Sequence, residues 1–204
     1  GEVVHITLKA GLGHARRLAP LIHYCMDQLS LAMTDLDFVA CARGPGSFTG
    51  LRIGMATAKG IAAGLNRRPF PLVSVGTLEL IASAHAHWPG VVLPVLDAKK
   101  HRLYAAAYRA SELLFAPADI PPTELTERVR RLRRDPGEPV LLCGPHASSV
   151  SEWVGFEHTV AGSYGCGLAP RLIRLAAGRA ANGSFDRPDA GPTYVRGSDA
   201  RLPS

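Results

Sequence analysis

With 204 residues, 47% of them apolar and 20% charged, the chain has the composition of a soluble globular protein with room for one large or two small cored domains. Its net charge of +6 divides evenly, with eight Lys/Arg against five Asp/Glu in residues 1–88 and fifteen against twelve in 89–204, so neither half is a dedicated polyanion-binding module. Cys25, Cys41, Cys143 and Cys166 form no C-x-x-C pair, and no apolar run reaches the length of a membrane span; reduced thiols in a cytoplasmic protein are the expectation.

In chain order, Glu2 to Lys9 alternates β-branched residues and predicts a strand, followed by a Gly-containing turn at residues 10–13. Leu18, Leu21, Ile22, Cys25, Met26 and Leu29 recur at helical spacing and predict a helix over His14–Leu29, with Pro20 either kinking it or marking a late start. A short apolar strand, Phe38–Ala42, leads into Gly44-Pro45-Gly46. Pro45 disfavours helical angles at Gly44, so the next helix starts after Gly46 with Ser47 as its N-cap, and Gly64 serves as its stop. Gly50, Gly54, Ala58 and Ala62 fall on one face of that helix at i, i+4 spacing. They leave a shallow groove that suits either an internal core contact or a partner surface, and residue physics alone favours the core contact.

Leu72–Val75 reads as a strand and Thr77 as the cap of a helix over 78–87, so residues 1–88 alternate strand and helix as one α/β unit. After the Trp88-Pro89-Gly90 break, Val91–Leu96 and Arg102–Tyr108 predict a hairpin, 117–122 a loop, Thr123 the cap of a helix to Arg134, Pro139–Cys143 a strand, and Arg171–Ala181 a last helix. The tail carries one extended patch, Thr193–Val195. The expected domains are therefore 1–88 and 89–204.

Familiar chemical templates fail. Residues 44–54 match neither the P-loop nor the G-x-G-x-x-G spacing, since Thr49 stands where the third glycine is needed. Ser47 lies outside a G-x-S-x-G elbow. His85 and His87, two apart, point to different helix faces, and His14, His101, His146 and His158 are isolated. Asp97 beside Lys99 is the most site-like acid, with turn formation as its simpler role. The arginines at 128, 130, 131, 133 and 134 spread around a helix, as on a solvated surface.

The sequence GPGSFTGLRIG at Gly44–Gly54 closely resembles the signature of the TsaB family, the bacterial subunit of the complex making N6-threonylcarbamoyladenosine in tRNA. HARRLAPLI at 14–22, LDFVACARG at 36–44, AKGIA at 58–62, LVSVGTLELIA at 72–82, LDAKKHRLYAAAY at 96–108 and PTYVR at 192–196 agree with it. The resemblance implies a two-lobed, actin-like (ribonuclease H-like) α/β fold that has lost catalysis. It reverses the reading of the glycine stripe, because in the family the corresponding helices pair with the catalytic paralogue TsaD or with a second copy. The implied partner face is His14, Leu18, Leu21, Ile22 and Cys25 from the first helix, with Gly50, Arg52, Ile53, Gly54, Thr57, Ala58, Ile61 and Ala62 from the second.

The resemblance further implies the ATPase TsaE as third partner, a homodimer in isolation, and indirect or weak contact with tRNA. No cofactor is implied beyond weak nucleotide binding at the partner interface. The paralogue's His-x-x-x-His metal pair aligns with Thr77 and Ile81, neither of which is a ligand for it. Family members begin with an Asp-Thr-Ser strand that pairs with what is here Glu2–Lys9, so that first strand is expected to be missing from a sequence starting at Gly1. The competing reading is a stand-alone enzyme of the same fold, either a sugar-kinase-like phosphotransferase or a metallopeptidase.

Overall fold

Two strands and the helices packed around them carry the first of two compact units, which comprises Gly1–Leu80 with Tyr164–Pro192. The computed structural model describes residues 2–8, 13–162 and 167–196. Strands β1 (Val39–Gly44) and β2 (Leu72–Gly76) run parallel, with Val39 opposite Leu72 and Cys41 opposite Ser74. Parallel strands need a long crossover, and the helix α2 (Phe48–Gly64) supplies it. Strand alternation then decides which residues meet which helix. Val39, Cys41 and Leu72 pack with Met55, Ala58 and Ala62 of α2. Ala40, Val73 and Val75 turn to the opposite face, where they meet Leu172, Leu175, Ala176 and Ala180. Those four belong to a late helix, residues 169–181, that returns to this unit. Because both faces are covered, β2 is apolar almost throughout, and Leu72 and Val75 are fully buried.

The helix α1 (His14–Gln28) precedes β1 and packs against α2, with Pro20 inside it. The helix α3 (Thr77–Ala82) follows β2 directly, and a turn of 3₁₀ helix continues it through His85. Thr77 is the first helical residue and its buried hydroxyl has no hydrogen-bond partner among the described residues, so it does not act as the expected cap.

The second unit comprises Ile81–Ser163 with Thr193–Ser204. Its sheet has the order β5-β4-β3-β6-β7. β3 (Val91–Asp97), β4 (Leu103–Arg109) and β5 (Glu112–Ile120) are antiparallel neighbours, whereas β6 (Val140–Cys143) and β7 (Thr159–Val160) extend the other side in parallel. One face carries Val91, Leu93, Val95, Leu103, Ala105 and Leu142. It is closed by Leu125 and Val129 of α4 (Pro122–Leu132) and by Ala147 and Val150 of α5 (Ala147–Val150). Gly144 ends β6 at φ +121, and a Cβ there would stand 2.4 Å from the Val95 carbonyl oxygen, so only glycine fits.

Several expectations change here. Glu2–Leu8 forms no strand, because a strand exists only through a hydrogen-bonded neighbour and no described residue pairs with this segment; Lys9 and residues 10–12 lie outside the described residues. Residues 112–120, part of which was expected as loop, make a full strand. Pro117 is tolerated there because β5 is an edge strand and its register shifts between its pairings at Phe115 and Ala118. α4 starts one residue before Thr123, with Pro121 as N-cap and Pro122 at the first helical position, where a missing N–H costs nothing. α2 ends at Gly64, but the left-handed residue beyond it is Asn66 at φ +48. The last helix, α6 (Ala169–Ala181), belongs with the first unit, so the chain does not divide at residue 88. Its side chains complete the core above β2, an association that linear order does not announce.

Candidate functional site

The region around α2 is built by the turn that launches it. β1 closes on Gly44 at φ +115, and after Pro45 and Gly46 the Ser47 side-chain oxygen accepts a hydrogen bond from the Gly50 N–H at 3.3 Å. Ser47 is thus the N-cap that the sequence indicates. Its hydroxyl takes one first-turn amide, that of Gly50, and serves a structural purpose.

From there the residues of α2 sort onto three sides. Met55, Ala58 and Ala62 point into the unit's own core, with Ala58 5% and Ala62 1% exposed. These two alanines are therefore withdrawn from the partner face, since no second chain can reach them without unfolding the first. Ile53, Gly54, Thr57 and Ile61 form an adjacent, half-buried side, with Gly50 exposed at its N-terminal end. A methyl group added at Gly54 would meet nothing within 4 Å, and one at Gly50 only the Ser47 side chain at 3.5 Å. Arg52 stands two residues from both Gly50 and Gly54, about 160° around the helix, and cannot share a partner helix with them. It belongs to the third side, where its guanidinium lies 3.9 Å over the ring of Phe48. The glycine stripe is thus divided, its C-terminal half being core and its N-terminal half an open notch.

α1 adds Leu18, Leu21, Ile22 and Cys25, all half-buried along one stripe beside the buried Met26. The His14 side chain lies outside the described residues. Two large exposed side chains nearby were absent from the sequence reading: Tyr24 of α1 and Phe48 of α2, 52% and 50% exposed. An aromatic residue directly after a helix cap, as at Phe48, was the available signal, because the first turn has no preceding turn to shelter it.

The other candidate groups resolve into structural roles. Asp97 accepts from the Lys99 N–H at 2.7 Å and from Lys99 Nζ at 2.9 Å; these bonds hold its carboxyl below the usual carboxylate range and pin a turn whose residues 99–101 are all left-handed. His101 packs on Trp153 with ring centroids 4.6 Å apart. Arg128 and Arg130 are held by Glu124 and Glu127 of their own helix. Cys41 donates to the Met55 sulfur at 3.6 Å, and burial, reinforced by Asp186, pushes its thiol up to about 11. Cys166 lies outside the described residues. Thr77 and Ile81 are a helix-start residue and a fully buried core residue. Among the described residues no group of three or more His, Cys, Asp or Glu is placed to hold a metal ion. No helix among them is long and apolar enough to cross a membrane.

A family model described as TsaD: tRNA N6-adenosine threonylcarbamoyltransferase matches residues 8–133, more than half of the chain. Among curated proteins, the tRNA threonylcarbamoyladenosine biosynthesis protein TsaB of Bacillus subtilis is 34% identical over 47% of this chain and 41% of its own length. Its Escherichia coli counterpart of the same name is 35% identical over 48% and 42%. The chain thus spans about two fifths of the length of these curated relatives. A crystal structure of a Pseudomonas aeruginosa protein described as similar to peptidase YeaZ superposes with a TM-score of 0.72 at 25% identity, covering 90% of this chain and 84% of the other. Architecture and matches together define an α/β protein of the actin-like, ribonuclease H-like class. The chain belongs to the TsaB family.

Proposed function

We propose that this chain serves as a non-catalytic scaffold in the formation of N6-threonylcarbamoyladenosine in tRNA, and that the face made by α1 and α2 docks onto the catalytic paralogue TsaD. The pathway rests on the names borne by the relatives, tRNA threonylcarbamoyladenosine biosynthesis proteins. The docking rests on one observation: the chain itself leaves the Gly54 notch open, although an interior glycine costs an exposed helix about 1 kcal/mol relative to alanine. A partner helix seated there offsets that cost, because a missing Cβ lets two helix axes approach to the short end of the usual 8–10 Å and gain dispersion contacts. Ile53, Thr57 and Ile61 of α2, with Leu18, Leu21, Ile22 and Cys25 of α1, supply the apolar flanks.

On this reading a second copy occupies the same face when the paralogue is absent. The ATPase TsaE joins as third component, and tRNA is held chiefly by the paralogue. The chain needs no cofactor of its own, and any nucleotide it meets is shared with the partner. The test mixes the purified chain with TsaD on gel filtration. Gly54→Trp is expected to abolish co-elution while circular dichroism and melting temperature stay within a few degrees of the parent; an undiminished complex overturns the proposal. The chain alone is expected to turn over neither ATP nor peptide, and sustained turnover overturns its non-catalytic part.

A further inference from the structure

A second surface lies in the other unit. α4 and β5 enclose an open groove of about 670 Å³ whose apolar floor is Phe115 and Leu132. Its walls carry four charges from α4, and the structure pairs them unequally. Glu124 accepts from Arg128 Nε at 3.0 Å and Nη2 at 2.6 Å, holding that guanidinium 5.4 Å from the Phe115 ring centroid. Glu127 accepts from Arg130 Nη1 at 2.8 Å. Arg131, exposed one turn beyond Glu127, has no hydrogen bond or ion pair among the described residues. After these pairings the groove keeps an apolar floor and one uncompensated positive charge at its lip.

The shape of the strand decides which kind of segment fits. β5 is an edge strand, yet its ladder with β4 is broken twice, at Ala107/Tyr108 and at Ala105/Ala107, and it contains Pro117. Register breaks and an edge proline are the means by which edges resist the addition of a further strand. The side left open to a visitor is therefore the helical wall. We infer that the α4–β5 groove is a docking site for an amphipathic helix of another protein, one that lays apolar side chains on Phe115 and Leu132 and extends a carboxylate to Arg131.

The experiment uses the full chain and two designed 14-residue peptides with leucines at i, i+3, i+7 and i+10. One carries glutamate along the flank of the apolar stripe, and the other carries lysine at the same positions. Saturable binding of the glutamate peptide is expected by fluorescence anisotropy, with amide shifts in ¹⁵N spectra confined to residues 113–115 and 123–132. Arg131→Glu is expected to weaken the glutamate peptide about tenfold and to strengthen the lysine peptide. Arg131 is exposed and holds no partner among the described residues, so this variant keeps its fold, which an unchanged melting temperature verifies. Equal affinity for the two peptides overturns the inference. So does indifference to Arg131→Glu, shifts mapping to another surface, or absence of binding at millimolar peptide.

Discussion

Replacing Gly54 by alanine separates stability from docking in a single substitution. Apart from its chain neighbours and the backbone of its own helix, the methyl group meets no heavy atom of the described residues within 4 Å, and the backbone there lies outside the left-handed region, so the folded state gains no clash. What remains is helix propensity, worth about 1 kcal/mol in favour of alanine. For a protein of this size that corresponds to a melting temperature raised by about 2–4 °C. The same methyl sits where a partner helix would make its closest approach, so affinity for TsaD is expected to fall as stability rises. Gly178→Ala provides the control, because its Cβ also meets nothing within 4 Å among the described residues but it is exposed on α6, outside the α1–α2 face. It is expected to bring a similar thermal gain with affinity unchanged. Differential scanning calorimetry and titration calorimetry with TsaD read the two quantities. A drop in melting temperature for Gly54→Ala would show the notch to be filled from within the chain, and equal affinities for both variants would remove the docking argument.

Four further outcomes follow from the packing. Ala58→Trp forces an indole among Cys41, Met55 and Leu72 and is expected to cost about 3 kcal/mol, read as poorly soluble expression or a lowered urea midpoint, in contrast to Gly54→Trp. Glu138 receives Arg109 at 2.8 and 2.9 Å and the Arg134 N–H at 2.6 Å with its side chain only 6% exposed, so Glu138→Ala is expected to cost about 3 kcal/mol by chemical denaturation. Bonding to Arg109 holds the Glu138 carboxyl low. Asp119 is raised by burial but lowered further by hydrogen bonds from Arg196 and Arg102. Both groups therefore bind protons more readily unfolded than folded. Their contribution is complete above the ordinary carboxylate range near pH 4 and is lost as pH falls through the lower folded values. A urea midpoint that rose on acidification below pH 4 would contradict this sign. Finally, Cys41 is expected to resist a thiol reagent at pH 8 in the folded protein while the half-buried Cys25 reacts; equal rates would count against the burial of Cys41.

Local chemistry made much of the central region legible. Pro45 between two glycines, followed by serine, admits few conformations, and the structure adopts the expected cap at Ser47. Helical periodicity placed α1 and α2, and the apolar runs at 72–75 and 91–96 were recognisable as strands because both faces of each are covered. β5 escaped because Pro117 and its neighbours resemble a loop until an edge position and a register shift make room for them. The tetrapeptide helix α5 and the two-residue β7 carry too few residues for any periodicity.

By itself the sequence determined the strand–turn–helix at Gly44–Gly64 and most of the alternation of strands and helices, because these follow from backbone preferences and short-range spacing; the family was legible separately, through the resemblance of GPGSFTGLRIG to its signature. Only the tertiary structure decided that Ala58 and Ala62 are core while Gly54 is open, and that α6 returns to complete the first unit. The physical reason is that spacing fixes which residues share a side of a helix, whereas burial depends on what another stretch of chain brings against that side.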